Sequence, residues 1–323
     1  MTQAHARITS PFSAQSTARE VAEGHDLTGK TAIVTGASAG LGIETARALA
    51  GRGADVTLAV RDTEAGQKIA DAINQAEGRL AARVARLELG SLASVRDFAR
   101  SWGDRPLHLL IDNAGIMACP LGYTEDGFET QFGVNHLGHF LLTVLLAPAL
   151  VAAAPARVVV LSSGGHQASD IHWDDPHYRS RPYTPFEAYG QSKTANILFA
   201  IGFTRRFAER GVTANSVMPG VIHTSLGRHL TPEMIKGIFY DENGQPRLMP
   251  TKSPEQGAAT SVWAAVGSEL EGIGGLYLAD CAEAALLTPE TAQIFGGVKP
   301  YALDPASAER LWALSVKETG APQ

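Results

Sequence analysis

Short apolar runs alternate with longer helical patterns along most of the chain. The runs are apolar throughout rather than at every second position, which is typical of parallel strands covered by helices on both faces. Strands that alternate with helices of about ten or more residues indicate βαβ units. The pattern therefore predicts an α/β fold with a doubly wound parallel sheet of about seven strands. The predicted strands are Thr31–Thr35, Asp55–Val60, Ala82–Leu89, Leu107–Asp112, Arg157–Leu161, Thr213–Met218 and Gly275–Ala279.

Two irregular segments interrupt this pattern. Residues 164–185 and 227–253 both follow strands, and open α/β sheets bind ligands beyond the carboxyl ends of their strands. We therefore expect both segments to be insertions in a substrate cleft. Residues 1–25 are predicted to be an N-terminal extension, and residues 26–323 to be a single Rossmann-type domain. The predicted helices between the strands are Leu41–Gly51, Asp62–Glu77, Ser91–Trp102, Gly127–Leu150 and Phe186–Arg210.

Composition narrows the possible classes of protein. The chain has 323 residues, of which 45% are hydrophobic, enough for one large α/β domain or two small ones. The formal net charge of −6 provides no basic surface, so we expect no nucleic-acid partner. Two cysteines, Cys119 and Cys281, make neither a disulfide framework nor a metal cluster. The irregular spacing of the histidines also argues against a catalytic metal.

The chain shows no clear targeting or membrane-spanning segment. Its first residues lack the apolar core of a signal peptide. No uncharged apolar run reaches the about 18–20 residues that a membrane span needs, and the longest, from Phe140 to Ala156, contains two prolines. We therefore expect a cytoplasmic protein with no membrane partner.

A glycine-rich turn follows the first predicted strand. Gly36, Gly40 and Gly42 lie in the sequence TAIVTGASAGLGIETA, between a strand and a helix. Glycines at such a turn let the backbone approach a pyrophosphate closely, and the helix N-terminus stabilises its charge. The spacing is looser than Gly-x-Gly-x-x-Gly, so a glycine-rich turn without a ligand is the alternative.

The end of the second predicted strand bears on the choice of dinucleotide. An acidic side chain there favours NAD, but here Val60 is followed by Arg61. A guanidinium forms bidentate hydrogen bonds with a phosphate, so we expect NADP rather than NAD. Asp62 keeps NAD open, because its carboxylate could pair with Arg61 or reach a ribose. An exposed arginine without a ligand is the remaining alternative.

Tyr189 and Lys193 lie four residues apart in the sequence AYGQSKTAN. Residues at this interval share one face of a helix. A tyrosine has a pKa near 10, and a cation about 4 Å away favours its phenolate by roughly 4 kcal/mol at an effective dielectric constant of about 20. The pair could therefore make a general acid and base. An unrelated surface pair is the alternative.

Other polar residues stand where a reacting group could use them. Ser162 and Ser163 end the strand in RVVVLSSGGH, where a hydroxyl could hold a carbonyl oxygen. Asn135 lies inside a predicted helix, where its amide could bend the helix or bind a water behind the lysine, although a purely structural amide is possible. In LLIDNAGIM, Asn113 can bond the backbone of neighbouring strands, and Gly115 leaves room for a ribose.

Together, these motifs resemble the short-chain dehydrogenase/reductase family. The likeness extends from about Asp26 to Asp280, with the motifs in the family's order and spacing. Within the family the chain is similar to the retinol dehydrogenase-like branch, which includes the catalytic part of the WW-domain-containing oxidoreductase. The sequences that carry this closer likeness are STAREVAEGHDLTGK, NHLGHFLLT, SKTANILFA, GGLYLADCAEA and LDPASAERLW.

The resemblance implies a role for each matching residue. Tyr189 would donate and accept the proton, Lys193 would lower its pKa and bind the nicotinamide ribose, and Ser163, rather than Ser162, would polarise the carbonyl. Asn135 would complete the set through a relay water. Glu88 stands where the family usually has aspartate at the adenine. The implied cofactor-binding residues are Gly36, Ser38, Gly40, Leu41, Gly42, Arg61, Glu88, Leu89, Asn113, Ala114, Gly115, Tyr189, Lys193, Pro219, Gly220, Ile222 and Thr224.

The expected function is hydride transfer between NAD(P) and an alcohol or carbonyl compound. The apolar residues of the segment 227–253 make a lipophilic aldehyde or ketone the expected substrate, although they could equally form a packing or oligomer surface. NADP, expected from Arg61, would favour reduction. The alternative is a catalytically silent protein that senses dinucleotides. A sugar-nucleotide epimerase is disfavoured, because such enzymes carry Thr-Gly-x-x-Gly-x-x-Gly and a larger C-terminal domain. By the resemblance, the chain could form a homodimer or homotetramer.

Overall fold

The computed structural model describes residues 6–240, 244–245, 250–289, 291 and 296–322. Residues 1–5 of the predicted extension, and 241–243 and 246–249 of the second predicted insertion, lie outside the described residues. The strands are β1 (Thr31–Thr35), β2 (Asp55–Val60), β3 (Ala82–Arg86), β4 (Leu109–Asp112), β5 (Ala156–Leu161), β6 (Val212–Met218), β7 (Val221–Ile222), β8 (Thr251–Lys252), β9 (Tyr277–Ala279) and β10 (Ala282–Glu283).

Eight of these strands form the central sheet, in the order β10-β9-β6-β5-β4-β1-β2-β3. All neighbours pair in parallel except β9 and β10. The predicted doubly wound sheet is confirmed, and the seven predicted strands are its parallel members. The additional strand β10 is two residues long, too short for its pattern to be recognised. The strand order reverses between β1 and β4, which is where such sheets bind their ligands.

The helices cover both faces of the sheet. Asp62 and Ser91 were predicted as first helical residues, but their side chains instead accept hydrogen bonds from Ala65 N–H and Ser94 N–H as N-caps. The helices are α1 (Ala18–Ala22), α2 (Leu41–Ala50), α3 (Thr63–Glu77), α4 (Leu92–Trp102), α5 (Thr130–Phe132), α6 (Gly138–Ala152), α7 (Pro185–Phe207), α8 (Pro232–Phe239), α9 (Pro254–Gly257), α10 (Ala259–Val266) and α11 (Pro305–Thr319).

The core consists of two layers, one on each face of the sheet. Successive side chains of a strand point to opposite faces, so Val34 of β1 packs with α1, α2, α3 and α10, whereas Ile33 packs with α4, α6, α7 and α11. Helix α1 lies in the predicted N-terminal extension, yet its Val21 is fully buried in the first layer. Residues 18–22 are therefore an integral part of the domain.

A long apolar helix crosses the second layer. Thr130–Ala152 comprises α5, a π-helical turn (Gly133–Leu137) and α6, and within the described residues it is long and apolar enough to span a membrane. Its most apolar window is 78% buried inside the protein, as in the core helix of a globular domain. The cytoplasmic location stays a prediction.

Candidate active site

A cavity of about 1380 Å³ lies beyond the carboxyl ends of the parallel strands. It is lined by every predicted cofactor-binding residue except Gly42, and by the predicted catalytic residues Ser163, Tyr189 and Lys193. Gly42 and Asn135 do not line the cavity, but Gly42 packs against Asn113 and Asn135 is hydrogen-bonded to Ile116, both of which do. The structure thus brings together side chains and turns from most of the length of the sequence.

The glycine-rich turn after β1 has no space for side chains. A Cβ on Gly42 would lie 2.6 Å from Asn113 Nδ2, and one on Gly36, whose φ is +67°, would lie 2.9 Å from Ala114 Cα. Gly40 is the N-cap of α2 and provides no side-chain hydrogen bond to it. The first N–H groups of α2 therefore face the cavity without a side-chain cap, as an anion-binding helix N-terminus requires.

The turn after β4 is held directly against the end of β1. Thr35 Oγ1 accepts hydrogen bonds from the N–H groups of Asn113 and Ala114, both at 2.9 Å. Asn113 Nδ2 donates to the Thr35 carbonyl at 2.7 Å. The expected bonding of Asn113 to the backbone of a neighbouring strand is therefore present, and it holds the glycine-rich turn and the Asn113–Gly115 turn in one rigid unit.

The end of β2 carries an ion pair at the edge of the cavity. Arg61 Nε lies 3.6 Å from Glu88 Oε2, and the arginine side chain is 75% exposed. The other oxygen of Glu88 accepts a hydrogen bond from Gly90 N–H, so the carboxylate is held in place. One oxygen of Asp62 caps α3. One carboxylate oxygen of Asp62 is therefore already bonded to the backbone of α3. The exposed guanidinium of Arg61 is more accessible to a ligand at this edge of the cavity.

Asn135 lies in the π-helical turn and is fully buried. Its Oδ1 accepts a hydrogen bond from Ile116 N–H, and its Nδ2 donates to the Ile116 carbonyl and to Ser192 Oγ, each at 2.9 Å. The side chain is thus fully engaged by protein groups. Its direct effect is to hold the cavity wall at Ile116, close to Lys193.

The two serines after β5 have different surroundings. Ser162 Oγ is buried and donates to the Lys193 carbonyl at 2.9 Å. Ser163 Oγ lines the cavity and accepts a hydrogen bond from Gly165 N–H at 3.0 Å. Both serines line the cavity, but the Ser162 hydroxyl is bonded to the backbone of the helix that carries Lys193. That Ser163 is the functional serine stays a prediction.

Tyr189 and Lys193 meet inside α7, as their spacing predicts. The Lys193 ammonium lies 5.7 Å from the centroid of the Tyr189 ring and donates to the Leu161 carbonyl. The tyrosine ring packs on Gly165, where a Cβ would lie 2.7 Å from Tyr189 Cε1. Gly165 therefore belongs to the site, although the sequence prediction did not include it.

Burial dominates the protonation of this pair. It raises the pKa of Tyr189 to about 12, against the opposing effect of a hydrogen bond with Ser163. It lowers the pKa of Lys193 to about 7. Desolvation therefore dominates in the protein alone, and the expected lowering of the tyrosine pKa by Lys193 is not seen. A further positive charge next to the phenol would be needed to bring its pKa toward neutrality.

The buried ring of His166 is hydrogen-bonded to the backbone of Ser163. Its Nε2 accepts a hydrogen bond from Lys299 N–H, so its proton is on Nδ1, 2.7 Å from the Ser163 carbonyl. Burial lowers its pKa to about 4, which keeps the ring neutral. No local sequence signal points to this contact, because its partner Lys299 is 133 residues away.

The segment after β6 closes the cavity above the glycine-rich turn. Gly220 has a φ of +113°, and Thr224 Cγ2 lies 3.4 Å from the Cβ position of Gly40. Ile222 lies in β7, which pairs with β8. Pro219, Gly220, Ile222 and Thr224 all line the cavity, and Thr224 lies against the N-terminus of α2.

The predicted insertions contribute unequally to the other end of the cavity. Most of residues 164–185 pack elsewhere, and only 164, 165, 167 and 168 line the cavity, followed by Phe186. The described part of 227–253 supplies a larger share. Met117 and Phe186 also lie there and were not predicted. The apolar side chains at this end are Met117, Phe186, Leu226, Leu230, Met234, Ile235 and Ile238.

The described residues contain no group of three or more His, Cys, Asp or Glu side chains arranged to hold a metal ion. Both cysteines are buried and unpaired.

Comparisons with known proteins agree with this geometry. A family model described as short chain dehydrogenase matches residues 30–234. Human retinol dehydrogenase 13 is 41% identical over 304 residues, which cover 90% of this chain and 85% of that protein. Polyprenol dehydrogenase of Mus musculus is 44% identical over 308 residues, covering 91% of this chain and 84% of that protein.

A solved structure of a protein from Mycobacterium Paratuberculosis is 34% identical, with a TM-score of 0.72 over 94% of this chain and 98% of that one. The family match, the relatives and the shared fold all lead to the same assignment. The chain belongs to the short-chain dehydrogenase/reductase family, and it is an oxidoreductase of the retinol dehydrogenase-like kind.

Proposed function

We propose that this protein reduces lipophilic aldehydes or ketones with NADPH and, in reverse, oxidises the corresponding alcohols. The observation that carries the proposal is the meeting of Ser163, Tyr189 and Lys193 in one cavity with an uncapped helix N-terminus. Hydroxyl and phenol groups suit a reacting oxygen, and the helix terminus suits a phosphate.

The residues of the chain fit a nicotinamide dinucleotide. The glycine-rich turn would hold the pyrophosphate, because it brings backbone N–H groups to the cavity at positions where a Cβ has no room. Asn113, Ala114 and Gly115 would adjoin the ribose, with Lys193 close to Gly115. When bound, the nicotinamide supplies or accepts the hydride.

The protein itself handles the proton and the oxygen. Ser163 Oγ accepts from Gly165 N–H, which leaves its own proton to donate to a substrate oxygen. The Tyr189 phenol holds its proton at neutral pH, since its pKa is raised to about 12, and can give it to the same oxygen during reduction. Lys193, fixed by the Leu161 carbonyl, stays on the same face of α7 to favour the phenolate that results.

The preference for NADP rests on Arg61. Its side chain is 75% exposed at the cavity edge, and its only ion pair among the described residues is the 3.6 Å contact with Glu88. A guanidinium with little desolvation to undergo can turn from that carboxylate to a 2′-phosphate with bidentate geometry. A high cellular ratio of reduced to oxidised NADP would then favour carbonyl reduction.

The lipophilic substrate class rests on the apolar end of the cavity. Leu230, Met234 and Ile238 line that end, and apolar surface removed from water contributes roughly 25 cal/mol per Å² to binding. The names of the two relatives, retinol dehydrogenase 13 and polyprenol dehydrogenase, refer to lipophilic alcohols. Both observations favour a long apolar substrate over a small polar one.

The test is oxidation of NADPH and of NADH by the purified protein with aldehydes and ketones of increasing apolar length. We expect NADPH to be preferred and kcat/KM to rise with substrate length. Equal turnover for short and long substrates would contradict the lipophilic assignment, and a preference for NADH would contradict the role of Arg61. Tight dinucleotide binding with no turnover in either direction would favour a dinucleotide sensor.

A further inference from the structure

His139 is a buried histidine on α6, one helical turn after Asn135. It does not line the cavity, and only 1% of it is exposed. Its two ring nitrogens nevertheless contact two parts of the site. Nδ1 lies 3.0 Å from the Asn135 carbonyl oxygen, and Nε2 lies 2.9 Å from Thr35 Oγ1. A buried ring with two polar partners has a defined orientation.

The hydrogen-bond partners determine the tautomer of this ring. The Asn135 carbonyl can only accept, so Nδ1 carries the proton and donates it. Nε2 is then an acceptor and receives the hydroxyl proton of Thr35. Burial, with a contribution from the Lys193 charge, lowers the pKa of His139 to about 3. The neutral form therefore persists at any pH at which the protein is expected to work.

The same arrangement uses the full hydrogen-bonding capacity of the Thr35 hydroxyl. Its oxygen accepts the N–H groups of Asn113 and Ala114, and its single proton goes to His139. The Ile111 carbonyl lies 3.4 Å from the same oxygen, a longer contact than the 2.9 Å to the ring. A hydroxyl has one proton and two lone pairs, so without His139 the hydroxyl would lose its best acceptor.

The turn between Asn113 and Ile116 is clamped at both ends. Thr35 holds the N–H groups at its start, and the Asn135 side chain holds both backbone groups of Ile116 at its end. Gly115 lies between the clamps, and its Cβ position is 3.3 Å from Asn135 Oδ1 and 3.6 Å from Lys193 Nζ. His139 is hydrogen-bonded both to Thr35, which holds the start of the turn, and to Asn135, which holds its end.

We propose that His139 is a positioning residue, which fixes the Asn113–Ile116 turn relative to Lys193 by joining Thr35 to the backbone of Asn135. The proposal rests on the proposed function for its catalytic consequence, but the clamp itself exists without a ligand. His139 acts through Thr35 and Asn135 and touches no reacting atom. Its loss should therefore loosen the turn first and weaken dinucleotide binding as a result.

The chain provides a matched control in His136. It lies three residues earlier, is fully buried, and its pKa is also lowered to about 3 by burial. Its Nε2 lies 2.7 Å from Ser315 Oγ on α11, on the side of the helix away from the cavity. His136→Phe removes a buried imidazole and its hydrogen bond but leaves the clamp intact.

The experiment compares His139→Phe, Thr35→Val, Thr35→Ser and His136→Phe with the wild type. The first readout is hydrogen exchange of peptides that cover 109–117, measured without any ligand. We expect exchange there to be about tenfold faster in His139→Phe and Thr35→Val. Thr35→Ser keeps the hydroxyl and should preserve the slow hydrogen exchange of this segment. His136→Phe should leave the exchange of this segment unchanged, even if it lowers the melting temperature of the protein as much as His139→Phe does.

The second readout is the dissociation constant of NADPH. We expect His139→Phe to raise it about tenfold, and Thr35→Val to raise it at least as much, because that variant also removes the acceptor of the Asn113 and Ala114 N–H groups. The double variant should be little worse than Thr35→Val alone, because the contact with His139 is already lost there. The effect on kcat/KM should be at least as large, since small displacements in such sites cost up to about 100-fold.

Unchanged exchange at 109–117 in His139→Phe would overturn the proposal, as would an equal increase in His136→Phe. An additive double variant would also overturn it. If His139→Phe fails to fold, His139→Leu takes its place, because it also removes both contacts of the ring and leaves the Thr35 bonds to Asn113 and Ala114 in place. Absence of dinucleotide binding by the wild type would contradict the proposed function instead, and the exchange measurement would still test the clamp.

Discussion

At the dinucleotide end of the cavity a methyl group on Gly42 would lie 2.6 Å from Asn113, whereas at the substrate end one on Gly237 of α8 would meet no atom within 4 Å. The first end is built from strand termini and joined by buried hydrogen bonds such as Thr35 to Asn113. The second is built from short helices outside the main sheet. Under the proposed function, the dinucleotide would bind at the rigid end, and the open end would select the substrate by its shape.

The largest effect is expected where the two ends meet, at Tyr189. Tyr189→Phe removes the proton donor and should lower kcat by about 100- to 10,000-fold, with little change in dinucleotide affinity. Steady-state kinetics and a binding titration measure both. Tyr178→Phe is the control, since its buried hydroxyl has no partner among the described residues. Comparable losses in both variants would argue against a specific role of Tyr189.

Arg61 tests the charge at the dinucleotide end. Arg61→Gln should raise KM for NADPH by about 10- to 100-fold, because hydrogen bonds to charged groups contribute about 1.5–3 kcal/mol. KM for NADH should change little. Arg47→Gln on α2, which removes an exposed ion pair with Glu44, is the control. Equal changes for the two dinucleotides would show that Arg61 does not recognise the 2′-phosphate.

A pair of glycine variants tests the difference in packing directly. Gly42→Ala should lower the free energy of unfolding by about 1–3 kcal/mol through overpacking, and dinucleotide binding should weaken with it. Gly237→Ala should be neutral or stabilise α8 by up to about 1 kcal/mol, since alanine favours helices. Chemical denaturation measures both. The comparison fails if the two substitutions have the same sign and size.

The dinucleotide end also contains a buried carboxyl group on Asp112. Burial raises its pKa to about 8, so the native state keeps a proton that the unfolded chain loses above about pH 4. Stability should therefore fall as the pH rises from about 4 to 8, by up to about 1.4 kcal/mol per pH unit. Asp112→Asn should remove this slope, while the exposed Asp71→Asn should retain it, in urea denaturation at several pH values.

The smallest effect is expected at the substrate end. Ile238→Ala should raise KM for a long apolar ketone by about five- to tenfold, because about 1–1.5 kcal/mol of apolar contact is lost. KM for a short ketone should stay the same, and this internal control separates lost contact from a general disturbance. An equal rise for both substrates would mean that Ile238 shapes the reaction centre instead.

Much of the dinucleotide end could be predicted from sequence because its determinants are local. A strand followed by closely spaced glycines and a helix start dictates the turn around Gly36–Gly42, and the four-residue interval places Tyr189 and Lys193 on one helical face. The seven parallel strands were found for the same reason. Met117, in a loop, and Phe186, in the first turn of α7, were missed, since the sequence does not distinguish an apolar residue that lines a cavity from one in the core.

The sequence by itself determined the parallel sheet, the glycine-rich turn and the helical face that Tyr189 and Lys193 share, since these follow from spacings of a few residues. The tertiary structure alone decided that Glu88 faces Arg61, that Asn135 holds Ile116, and that burial raises the pKa of Tyr189. It also joined Thr35 to His139 across 104 residues. Hydrogen bonds and desolvation depend on which groups meet in space, and local patterns in the sequence do not predict which distant residues will meet.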